Sequence, residues 1–88
     1  MCRSIRPLFN YEPPATDEEV HAAALQYVRK VAGSPRPSRA NEQAYDAAVE
    51  AIARATRDLL GSLVTTAPAK DRDVEAEKAR ARARARYA

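Results

Sequence analysis

Apolar residues return at helical spacing in two stretches of this chain. Val20, Ala24, Tyr27 and Val31 recur every three or four residues, with Ala23, Leu25 and Val28 widening the stripe, which predicts a helix over residues 17–32. Thr16-Asp17-Glu18-Glu19 before it reads as a capping box, and Gly33 after it supplies the stop. The second stretch places Tyr45, Val49, Ile52, Thr56, Leu59 and Leu63 at a 4-3-4-3-4 spacing, with Ala48 and Leu60 alongside. This is a seam of coiled-coil type on a helix predicted over residues 39–63, with Ser38 as its cap. Gly61 weakens its end by about 1 kcal/mol relative to Ala. The connection, Ser34-Pro35-Arg36-Pro37-Ser38, is short and rigid, so the two helices should form an antiparallel hairpin.

The flanks read differently. Pro7, Pro13 and Pro14 keep residues 1–15 out of helix, yet Ile5, Leu8, Phe9 and Tyr11 give this leader a dense apolar load, so it reads as a strap. At 1.5 Å per residue the first helix is roughly 24 Å long and the second roughly 37 Å. The overhang carries Leu59, Leu60 and Leu63 beside the start of the first helix, where the strap emerges, and the strap is expected to cover those leucines. Past Pro68, Asp71 or Asp73 can cap a third segment whose residues 74–87 are almost all Ala, Glu, Lys and Arg. It has no apolar stripe, so residues 69–88 are expected to be a basic helix projecting into water or a disordered tail. The organisation is an all-α domain over residues 1–68 followed by that segment.

Composition and charge alter this picture in two places. Of the 88 residues, 45% count as hydrophobic, but half of those are Ala, so any core is thin. The net charge of +3 is not spread evenly. Residues 1–68 carry eight basic and eight acidic side chains, whereas residues 69–88 carry seven and four, so the whole excess sits in the last segment. Lys78, Arg80, Arg82, Arg84 and Arg86 follow one another there without an acid between them. They are the candidate nucleic-acid contacts, with RNA or an RNA–protein assembly as the expected partner. Tyr87 is the only aromatic nearby, so such binding would be largely sequence-tolerant. The plain alternative is a solvated helix carrying Glu75–Lys78 and Glu77–Arg80 pairs.

The other candidates are weaker. The seam of Tyr45, Val49, Ile52, Thr56, Leu59 and Leu63 packs against the first helix or, given the thin core, across a homodimer or partner interface. Cys2 is a candidate reactive or metal-binding thiol, set against an inert thiol tucked under the strap. A single Cys excludes an internal disulfide and, with the single His21, cannot build a usual structural zinc site in one chain. The cap and helix dipole account for Asp17, Glu18 and Glu19 without catalysis, and there is no Gly-rich phosphate loop. No catalytic residue, cofactor, metal or small-molecule substrate is therefore predicted. No apolar run suits a signal peptide or membrane span, which points to the cytoplasm.

Several blocks carry a family resemblance: Met1-Cys2-Arg3, Ile5-Arg6-Pro7-Leu8-Phe9, Glu12 to Glu19, Ala22 to Lys30, and Leu63 to Pro68. Together the chain resembles a family of short bacterial proteins catalogued as domain of unknown function 2277. The resemblance spans nearly the whole chain and departs from the family pattern at Ser4, where that pattern has Asn. It implies a bacterial, cytoplasmic protein and supplies no activity and no site residue.

Overall fold

The computed structural model describes residues 5–87, with Cys2 outside them. Helix α1 spans Asp17–Ala32 and α2 spans Glu42–Ser62, preceded by a 3-10 turn over Arg39–Asn41. A third helix, α3, spans Arg72–Tyr87. Two two-residue strands, β1 (Tyr11–Glu12) and β2 (Lys70–Asp71), pair in parallel, Tyr11 with Lys70 and Glu12 with Asp71. The fold is all-α apart from this bridge.

The start of α1 is set by the reciprocal bonds of its capping box. Thr16 Oγ1 accepts from the Glu19 amide at 3.1 Å, and the Thr16 amide donates to Glu19 Oε1 at 2.9 Å. The helix ends at Gly33, whose φ of 74° lies in the left-handed region, with its amide donating to the Arg29 carbonyl. The second helix begins differently from expectation. Ser38 gives no side-chain cap: its carbonyl accepts from the Asn41 amide, and the intervening turn tightens to 3-10 before α2 proper begins.

Helices α1 and α2 run antiparallel. Tyr45, in the first turn of α2, donates its hydroxyl to the Ser34 carbonyl just past the end of α1, and farther on Leu60 reaches the level of Ala23 and Ala24. The core between them is Val20, Ala24, Val28, Val49 and Ala53, with Leu8, Leu25, Tyr45, Ala48, Ile52 and Leu60 packed around it. These small residues let the helices approach closely, but they form a single seam. The Cα trace measures 44 × 37 × 19 Å, and its thinnest direction holds about two helix layers.

The strap covers only part of the leucine end. Leu8 packs on the core and Leu60 is half-buried, but Leu59 and Leu63 remain 55% and 44% exposed. One cause lies in α2 itself. At 100° per residue, Leu59 is turned about 100° from the mean direction of Val49, Ala53 and Leu60 and so lies on the flank of α2, while Leu63 follows the last residue of the helix in extended conformation. The other cause is that the strap turns off at Asn10, whose φ of 64° is left-handed, and sends Tyr11 to pair with Lys70 instead.

Candidate nucleic-acid interface

The segment joining the hairpin to α3 is held by the strap. Asn10 Nδ2 donates to the carbonyls of Ala67 (3.3 Å) and Pro68 (3.2 Å), and the Asn10 carbonyl accepts from the Lys70 amide at 2.8 Å. The Tyr11 ring is approached by two cations, with Lys70 Nζ 5.7 Å and the Arg72 guanidinium carbon 5.8 Å from its centroid. Asp71 caps α3, its Oδ1 accepting from the amides of Asp73 and Val74.

One ion pair ties this root to the hairpin. Arg72, the first residue of α3, donates from Nη1 to Glu19 Oε2 at 2.9 Å and from Nη2 to Glu19 Oε1 at 2.8 Å, and its Nε donates to the Pro13 carbonyl. This is a two-pronged guanidinium–carboxylate contact between groups about one third exposed. Glu19 thus serves the capping box and the clasp together. The Arg72 hydrogen bonds, then the Thr16 amide, lower its pKa from 4.5 to about 2.

Beyond Arg72, α3 makes no extended contact with α1 or α2. Its basic residues are exposed, and several are already paired along the helix. Lys78 meets Glu75 at 3.1 Å, while Arg80 and Arg84 meet the two oxygens of Glu77 at 2.8 and 3.0 Å. Those two guanidinium groups hold the Glu77 carboxyl below its ordinary range. Arg82 is exposed, and Arg86 is exposed and has a partner within the chain. Sequence periodicity places Lys78, Arg82 and Arg86 on one side of α3 and Arg80 and Arg84 on nearly the other. The arm therefore offers cations in two directions, with its acids at the root.

The seam residues are divided. Val49 is in the core, Tyr45, Ile52 and Thr56 are partly buried, and Leu59 and Leu63 are half-exposed. Ile52, Thr56 and Leu60 line one wall of an open apolar groove of about 270 Å³, faced by Ile5, Leu8 and Tyr27. No group of three metal-ligating side chains occurs among the described residues. Nor is any helix among them long and apolar enough to cross a membrane.

Asn10, Lys70 and Arg72 escape the sequence reading, and Tyr11 was read only as part of the strap's apolar load, because their pairing joins residues about sixty positions apart. Glu19 was visible, but the cap alone accounted for it. A family model described as "Uncharacterized conserved protein (DUF2277)" matches residues 1–78, taking in the hairpin and the clasp and ending at the first of the five arm cations. No curated protein and no solved structure matches the chain.

Proposed function

The chain belongs to the DUF2277 family of uncharacterised conserved proteins, and we propose that it is a non-catalytic accessory protein of the bacterial cytoplasm that docks on RNA or an RNA–protein assembly. The contacts are Lys78, Arg80, Arg82, Arg84 and Arg86. The observation that carries this reading is the detachment of α3. A charged helix without an apolar face stands clear of the hairpin on a fixed root, which suits a helix that completes its contacts on an anionic partner. Arginines on both sides suit a groove bounded by phosphate on two walls. The intrahelical pairs to Glu75 and Glu77 compete with phosphate and limit affinity. Affinity purification from the native cell, with and without nuclease, should recover RNA that is lost when residues 78–88 are removed. Undiminished recovery after that truncation refutes the proposal.

A second reading rests on Leu59, on the flank of α2, and Leu63, just past its end, both half-exposed. They suit a helical interaction module, homodimeric or partner-binding. Sedimentation at several concentrations separates the two, since a dimer indifferent to nucleic acid supports the module. A third reading, metal or thiol chemistry at Cys2, is tested by metal analysis and thiol titration beside Cys2→Ser.

A further inference from the structure

The arm is not the only cationic surface. From Val20 to Asn41 the chain has no acid, and in that span lie Arg29, Lys30, Arg36 and Arg39. None of these four forms an ion pair among the described residues, whereas Lys78, Arg80 and Arg84 of the arm all do. Where α1 ends, an open cleft of about 410 Å³ is lined by Gln26, Arg29, Lys30, Gly33, Ser34 and Pro35. Gln26 stands three and four residues before Arg29 and Lys30, so the three long polar side chains share one strip of helix surface. The αL turn at Gly33 brings Ser34 and Pro35 into the lining of the same open cleft. Arg29 Nε is buried without a hydrogen-bond partner, so an anion in the cleft is met by the other guanidinium N–H groups.

We infer that this cleft is a phosphate-binding site, formed by Arg29 and Lys30 with Gln26, and that it is a second contact for the nucleic acid engaged by α3. The inference that the ligand is nucleic acid rests on the reading of the arm given above; the phosphate site itself does not. An arginine fork beside a lysine point charge matches a tetrahedral oxoanion. The clasp at Glu19 and the cleft at Arg29 are ten residues apart on α1, roughly 15 Å along its axis. One polyanion long enough to run from the arm cations beyond the clasp to the cleft would gain from linked binding. Unlike the arm, the cleft lies wholly within the residues that the family model matches.

The test is backbone amide chemical-shift mapping of the full chain titrated separately with inorganic phosphate and with a short RNA duplex. Phosphate should give saturable shifts confined to Gln26–Ser34, absent in Lys30→Glu and reduced in the milder Arg29→Lys. RNA should move those amides together with residues 78–87, and Lys30→Glu should lower the salt slope of RNA binding by about 1. Shifts absent from Gln26–Ser34, spread evenly over every basic segment, or unchanged in Lys30→Glu overturn the site; the last marks an adventitious ion only. RNA shifts confined to α3 overturn the second contact and leave the arm standing. Phosphate shifts in the cleft with no RNA response in either region overturn the arm reading and leave the phosphate site.

Discussion

The hairpin and the arm are both helical, but they are stabilised by opposite means. Helices α1 and α2 bury Val20, Ala24, Val28, Val49 and Ala53 against each other, and their order is bound to that packing. Helix α3 buries little; it has an Asp71 cap, ion pairs along its length and one clasp to Glu19. Contacts of that exposed kind each contribute little in water and are screened by salt. The difference teaches where to expect rigidity and where responsiveness: the hairpin positions, and the arm answers to its ionic surroundings.

The largest effect that would sharpen this contrast comes from the core. Ala53 is fully buried between the helices, and Ala53→Leu should destabilise the hairpin by about 1–3 kcal/mol through overpacking. Thermal unfolding should show it, with the relative amide exchange of residues 78–87 unchanged. If α3 loses its helix in step with the hairpin, the two regions are one cooperative unit and the contrast fails.

Next is the cap. Thr16→Ala removes the acceptor for the Glu19 amide and should cost about 1 kcal/mol. It should also loosen the arm root, because the same Glu19 holds Arg72. Denaturant unfolding reads the first consequence and the Arg72 Nη–H signals the second. An unchanged Arg72 signal would mean that cap and clasp are independent.

Acid should act on the clasp with a defined sign. Glu19 has its pKa depressed from 4.5 to about 2, so the stability it contributes is fully present above about 4.5 and is lost as pH falls towards 2. Its side-chain carboxyl resonance should titrate near 2 in the native chain and higher in Arg72→Ala, though still below the ordinary value because the Thr16 amide bond remains. A native titration near 4.5 would break the clasp.

The smallest effect is expected from Glu77→Gln. It releases Arg80 and Arg84 from their shared carboxylate, so RNA affinity should rise a few-fold while helicity of α3 falls slightly. Binding measured beside circular dichroism checks both, and weaker binding would mean that Glu77 organises the arm for its partner.

How far these regions were legible in the sequence follows the same division. Helix α1 was readable to the residue because its signals are local: Thr16 with Glu19 at one end and Gly33 at the other. Helix α2 was readable in extent but not in facing, because a 4-3-4 spacing locates a stripe and cannot say which flank meets a neighbour whose residues are as small as Ala24. That is why Leu59 and Leu63 were expected under the strap and stand half-exposed. The intrahelical pairs of α3 are also local and were foreseen at Glu75–Lys78 and Glu77–Arg80. The clasp was not, since nothing near Glu19 points to Arg72 fifty-three residues on.

The central claim is that the hairpin is a scaffold and that the cations of α3 supply most of the binding charge. It is tested most directly by the salt dependence of RNA affinity for the full chain beside a variant with Lys78, Arg80, Arg82, Arg84 and Arg86 changed to Gln. Removing five phosphate contacts should flatten the slope of log affinity against log salt by roughly 3.5 to 4.5. An unchanged slope would contradict the account and move the interface off the arm.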